Sequence, residues 1–170
     1  MKGILDMTQS FTQKYTIVQF FDVVNEGYEY LSSDWPLHST LVDTFAIDWS
    51  VDEMVERLEN TLKNHAIAKS IAEDDSFFGE NKQIRVTLLN RSKSLVKLHL
   101  DILAAFEDGG LKLNDPQFAR DDFLPHATVQ KHARLYKGDE VKFTALSIID
   151  MFPDKNPYKR KVLRTIAIGQ

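Results

Sequence analysis

The sequence predicts an α+β fold whose sheets are largely antiparallel, and three observations carry that expectation. Runs rich in β-branched and aromatic residues outnumber the amphipathic helical stretches. Most links between them have hairpin length or pass through one helix, so the order is not the strict alternation of a parallel α/β sheet. A proline, then His-x-Thr, then aliphatic residues occurs twice, in Pro36–Val42 and Pro125–Val129, which suggests two related halves facing each other across a cleft.

In chain order, Tyr15 to Phe21 reads as a buried first strand because it is almost wholly β-branched and aromatic. Residues 22–34 read as mostly loop, and the first His-x-Thr strand follows over Leu37 to Ile47. Ser50 with Glu53 three residues on forms a capping box, Trp49 and Met54 are placed as a hydrophobic staple, and Val51, Met54, Val55, Leu58 and Leu62 line one face of a helix over 51–65. Ile67–Ile71 and Gln83–Asn90 read as strands around a loop, Glu73–Lys82, marked by its acidic run and Gly79. A second helix is expected over Ser94–Glu107, with Leu95, Leu98, Ile102 and Phe106 inward and Gly109-Gly110 ending it. Asn114–Asp122 is a loop before the second His-x-Thr strand, and Glu140–Phe152 and Lys161–Ile168 close the sheets.

The 170 residues suit one domain, residues 1–170, built as two lobes on a shared core. The 43% hydrophobic and 27% charged composition is that of a soluble globular protein, and no run approaches a membrane span. Met1–Gln9 lacks the continuous apolar segment of a secretory signal, so the cytoplasm is the expected compartment. A monomer is the expected state. The absence of Cys excludes disulfides, thiolate catalysis and Cys-ligated metals. A net charge of -4 lacks the basic footprint of a protein gripping long nucleic acid, so a small or terminal substrate is easier to accommodate.

Read as strands, the two repeats put His38 with Thr40, and His126 with Thr128, on one face each. Imidazoles titrate near neutrality, so two of them on either side of a phosphodiester can divide the work of general base and general acid without a metal. Each threonine hydroxyl points into the same cleft and can donate to non-bridging phosphate oxygens. Two rivals share these residues: a metal site of two His completed by Asp43 or Asp122, and a nucleotide- or RNA-binding module without turnover. The two His surroundings are too alike in sequence to say which is base and which acid.

The other histidines have plainer readings. His99 belongs to the apolar stripe of the second helix and is expected to pack, His65 sits at a helix end, and His132 is a surface neighbour of Lys131. Phe77, Phe78, Trp35 and Tyr158 could stack on a base, but core packing is the expectation, with Phe78 the best placed for a cleft rim. Lys155–Lys161 is expected to be a solvated hairpin.

The motifs His38-Ser39-Thr40 and His126-Ala127-Thr128 resemble the signature of the 2H phosphoesterase superfamily, which includes 2′-5′ RNA ligase-like proteins and phosphodiesterases acting on 2′,3′-cyclic ends. Pro125–Lys131 is similar to that family's extended second motif, Pro-His-x-Thr-aliphatic-x-basic, and the resemblance covers most of the chain. It implies a bilobal, pseudo-symmetric pair of antiparallel sheets with outer helices around a central cleft, and no metal or organic cofactor. It further implies that His38 and His126 are the acid–base pair, that Thr40 and Thr128 donate to phosphate oxygens, and that Lys131 is the trailing basic residue. That residue is often Arg in the family, and Lys offers a point charge in place of a bidentate fork.

Overall fold

The computed structural model describes residues 11–169; Met1–Gln9, read above for a signal, lies outside them. In order come β1 (Tyr15–Phe20), β2 (Glu29–Leu31), β3 (His38–Ala46), α1 (Val51–Leu62), β4 (Ala68–Phe78), β5 (Ile84–Leu89) and α2 (Lys93–Phe106). Then follow β6 (Lys112–Leu113), β7 (His126–Thr128), β8 (Glu140–Phe143), β9 (Ala145–Asp150) and β10 (Lys159–Ala167). They form a six-stranded sheet ordered β2-β10-β9-β1-β3-β6 and a four-stranded sheet ordered β7-β5-β4-β8, antiparallel throughout, which is the expected α+β architecture. One His-x-Thr strand lies in each sheet. Among the described residues no helix is long and apolar enough to cross a membrane.

β1 is buried along its whole length because strands flank it on both edges and apolar layers cover both faces. Its Tyr15 and Ile17 belong to the main core, while Val18 and Phe20 join a smaller cluster with Tyr30 and Trp35 on the other face. α1 starts where the capping box placed it: Ser50 Oγ accepts from the Glu53 amide at 3.2 Å and a Glu53 carboxylate oxygen accepts from the Ser50 amide at 3.0 Å. Trp49 packs edge-on against Phe106 and carries the Arg57 guanidinium over its face, with centroid distances of 5.6 and 4.8 Å. A Cβ on Gly109 would collide with that indole, so glycine is required there by close approach. The expected stripe of α2 is buried, and α2 packs between β3 and β4, so it supports both sheets.

Four boundaries differ from the sequence reading. β4 does not stop at Ile71 but runs to Phe78, and the true turn is the short Gly79–Lys82 stretch. The acidic run is tolerated inside the strand because cations neutralise it: Asp75 meets Arg85 at 2.7 Å and Arg134 at 2.6 Å, and Asp74 meets Lys137 at 2.9 Å. A register shift between Ala72 and Asp75 absorbs the irregularity. Residues 140–152 are two strands in different sheets, β8 and β9, divided at Thr144. The buried Gln19 side chain makes that switch possible, its Oε1 accepting from the amides of Thr144 and Ala145 at 2.7 and 3.0 Å. The stretch 22–34 contains β2, and Leu111–Asn114 contains β6; both are edge strands too short for periodicity to reveal.

Candidate active site

His38 opens β3 and faces Phe20 across the pair with β1, while Thr40 faces Val18. The register is regular over these residues, so both side chains share a face; the irregularity comes just after, between Thr40 and Val42. On the other sheet His126 lies opposite Leu88 and Thr128 opposite Val86. All four side chains are half-buried, while the residues between them, Ser39 and Ala127, are buried. Ser39 Oγ donates to the His126 carbonyl oxygen at 2.8 Å, so the first motif is hydrogen-bonded directly to the second at the seam between the sheets.

The two imidazoles are held in the same way. His38 Nδ1 is 2.8 Å from the Pro36 carbonyl oxygen and His126 Nδ1 is 2.8 Å from that of Leu124, in each case two residues back. A carbonyl only accepts, so each Nδ1 carries the proton and each neutral ring keeps Nε2 as an acceptor with no protein partner among the described residues. This repeated geometry fixes tautomer and orientation together.

Their surroundings differ. His38 is stacked on Trp35, with centroids 4.3 Å apart, and Phe20 presents an edge at 6.1 Å. Burial pushes its pKa down to about 4, against the opposing bond to Pro36, and the nearby His126 charge adds to the depression. His126 meets Phe78 edge-on at 4.8 Å. Burial lowers its pKa too, with the Leu124 carbonyl and the Asp43 carboxylate opposing.

A cavity of about 610 Å³ opens beside this pair. Thr40, Asp43 and His126 line it, together with Phe78 at the end of β4, Lys82 in the β4–β5 turn, and Phe123. His38 and Thr128 are not part of its lining, and Lys131 is exposed in the bend beyond β7, away from it. Core packing, expected for the four aromatics, is overturned for three. Phe77 and Tyr158 are 53% and 73% exposed, and Phe78 lies on the cavity wall against His126. The reason is the length of β4, which carries Phe77 and Phe78 past the main core to the hairpin tip. Trp35 packs against Tyr30, as expected, while its ring also covers His38.

His99 is packed, as read, and does more than fill space. Its Nδ1 donates to the Leu41 carbonyl oxygen at 2.6 Å, its Nε2 accepts from the Arg120 amide at 3.0 Å, and its ring lies flat on Phe123 at 3.9 Å. It thereby ties β3 to the loop that walls the cavity. His65 is bonded to Asp101 at 3.0 Å, and His132 is exposed. Among the described residues no three His, Asp or Glu side chains gather as metal ligands; Asp122 is exposed on a short 3-10 turn. Sequence reasoning missed Ser39, Lys82 and the structural reach of His99. Only Ser39 had a visible signal, since a small polar residue between two cleft-facing positions must point the other way.

The geometry has parallels. Over 94% of this chain and 100% of theirs, it superposes on Escherichia coli LigT complexed with 3′-AMP, at 11% identity and a TM-score of 0.57, and on a protein described as a phosphoesterase, at 13% and 0.56. The protein TT0787 of Thermus thermophilus superposes over 92% and 99% of the two chains, at 12% identity and a TM-score of 0.59. At such identities the likeness is one of fold. No curated protein matches in sequence. The model of the 2′-5′ RNA ligase superfamily, however, matches residues 8–146, across both His-x-Thr strands, and the chain belongs to that superfamily.

Proposed function

We propose that the chain is a metal-independent phosphoesterase acting on a 2′,3′-cyclic phosphate or a 2′-5′ phosphodiester of RNA or a nucleotide, carried by one domain of two lobes. The observation that carries this reading is the matched pair of imidazoles, each locked through Nδ1 to the carbonyl two residues back, on two strands joined by the Ser39 hydrogen bond. In this reading one Nε2 takes the proton of an attacking water as its oxygen bonds to phosphorus. The other imidazole, protonated at the start, gives its proton to the ribose oxygen as the phosphorus–oxygen bond breaks. Thr40 and Thr128 donate to the non-bridging oxygens, where charge must be held, and Lys131 supplies a more distant positive charge. LigT has been crystallised with 3′-AMP, ATP and NADP+, and a nucleotide is the ligand class we assign to this chain's cleft as well.

The test is a panel of 2′,3′-cyclic nucleotides, 2′-5′ linked dinucleotides and 3′-5′ linked controls assayed for turnover in excess EDTA. Turnover of a cyclic or 2′-5′ substrate, unchanged by the chelator, is the expected result. Loss on chelation with rescue by zinc or manganese would replace the reading with a metal hydrolase using Asp43 or Asp122. Tight binding of every nucleotide without product would leave a binding module.

A further inference from the structure

We infer that His99, a buried residue of α2 outside the paired motifs, is a positioning residue: one neutral imidazole fixes the backbone beside Thr40 and the turn that aims His126. Its effect on turnover rests on the phosphoesterase reading above; its effect on the ring of His126 does not.

The backbone is irregular at both places that His99 bonds. On β3, Leu41 falls in the register irregularity between Thr40 and Val42, and among the described residues none of β1 stands opposite it. The carbonyl of such an extra residue needs a partner from outside the regular ladder. His99 Nδ1 supplies one, donating to the Leu41 oxygen at 2.6 Å. In the second half, Arg120 opens the turn ahead of β7 with a φ of 60°, in the left-handed region that long side chains rarely adopt. Its amide donates to His99 Nε2 at 3.0 Å. The first bond lies one residue past Thr40. The second lies at the start of the run Arg120–Leu124, whose last carbonyl accepts from His126 Nδ1 at 2.8 Å.

That run takes its place from α2 and the residues just ahead of it. Arg91 Nη1 donates to the Asp121 and Phe123 carbonyls at 2.7 Å each, and the Phe123 amide closes back onto the Arg120 carbonyl at 3.1 Å. The His99 ring lies flat on Phe123, with centroids 3.9 Å apart. Leu124 follows directly, and its own side chain is exposed, so it anchors little. The carbonyl that sets the tautomer and orientation of His126 is therefore placed by the tethers before it.

The residue type matters as well as the place. A carbonyl only accepts and an amide only donates, so both partners require the neutral Nδ1–H form of His99. Burial holds its pKa below the usual imidazole value, with the Leu41 bond opposing and the charges of Arg120 and Arg91 adding to the depression. A leucine in this apolar stripe would fill the space and leave both backbone groups without these partners.

The experiment separates the two bonds. His99→Asn keeps a donor near the place of Nδ1 and loses the acceptor for Arg120, whereas His99→Gln keeps an acceptor near the place of Nε2. Ring-nitrogen NMR of His99→Asn should show His126 passing from the Nδ1–H form to a mixture of tautomers while His38 stays as in the wild type. With adenosine 2′,3′-cyclic phosphate, kcat should fall by on the order of tenfold and KM change by less than about threefold. His99→Gln should restore the His126 signal and most of the lost kcat. Arg91→Met, at an exposed position that leaves the core of α2 intact, should move the same His126 signal in the same direction. Ile102→Val loosens the packing of the same helix and should move neither ring. An unmoved His126 in His99→Asn, equal shifts at His38 and His126, a Gln variant no better than Asn, or an equal shift in Ile102→Val would each overturn the inference. If the wild type turns over no cyclic phosphate, the phosphoesterase reading falls and the ring-nitrogen spectra decide alone: a shift confined to His126 upholds the positioning role, and an unmoved spectrum overturns it.

Discussion

The two His-x-Thr strands hold their histidines alike and differ in length, position and surroundings. β3 is a nine-residue strand with β1 on one side and β6 on the other; β7 is three residues long at the edge of its sheet, with β5 as its one strand partner among the described residues. Yet each presents a histidine and threonine on one face, and each locks Nδ1 onto the carbonyl two residues back. The lesson is that imidazole geometry here is set locally, by the turn into the strand, so a short edge strand can reproduce what a long internal strand does. Proton affinity is set by what surrounds the ring, and there the halves diverge, with Trp35 and Phe20 around His38 against Phe78 and Asp43 around His126.

The most severe way to probe the pairing is to remove one ring at a time. His38→Ala and His126→Ala should each lower kcat on a cyclic nucleotide by roughly a hundredfold to ten-thousandfold, the range for a lost general acid or base, and each should remove one limb of the bell-shaped pH profile. Either variant retaining near-wild-type turnover with an intact bell would break the pairing. Thr40→Val and Thr128→Val keep strand shape while removing a donor, and should cost less, about tenfold to a thousandfold by comparison with single oxyanion donors. Lys131→Ala should cost least of the set, because the exposed ammonium is screened by solvent.

Acid should separate the halves next. His38, His126 and His99 all have folded pKa values below that of an unfolded histidine, so the unfolded chain binds more protons as pH falls, and stability drops with it. The stabilising effect is fully present above the unfolded pKa, about 6.5, and for His38 it is lost progressively toward a folded value of about 4. Urea midpoints measured from pH 7 to 4 should therefore decline in the wild type and decline less in His38→Ala. The flattening should be smaller in His126→Ala, because Asp43 opposes the depression there. Equal slopes in the two variants would mean that their environments are equivalent after all.

How much of this was legible follows from the range of each signal. The capping box at Ser50 and Glu53 and the stripe of α2 are local, and both were readable from spacing. The paired motifs were readable because period two is the strand's own period, and the superfamily followed from them. What escaped depended on partners distant in sequence. The acidic run of β4 looked like a loop because Arg134, which neutralises Asp75, lies 59 residues away. The division at Thr144 was invisible because Gln19, which satisfies it, lies 125 residues back. The side of the cleft on which the cavity opens depends on a β4–β5 hairpin reaching past the core, which no single stretch encodes.

The smallest expected effect tests the seam itself. In β7 the groups that bond to β5 alternate: the Pro125 carbonyl accepts from Leu89 and the Val129 amide donates to Arg85, each at 2.9 Å. The His126 carbonyl therefore points away from β5, and Ser39 Oγ satisfies it from the other sheet. Ser39→Ala leaves that carbonyl without its partner in a site where Ser39 is 1% exposed, and should cost about 1 to 3 kcal/mol of stability. The loss should not be shared evenly, since β3 keeps its register with β1 while β7 keeps only three residue pairs with β5. Hydrogen exchange should accordingly quicken at residues 126–128 more than at 38–40, and turnover should fall by on the order of tenfold or less as the second imidazole loses its fixed distance from the first. If exchange rises equally on both strands, Ser39 contributes to general core stability; if it rises only on β7, the hydroxyl is what registers one His-x-Thr strand against the other.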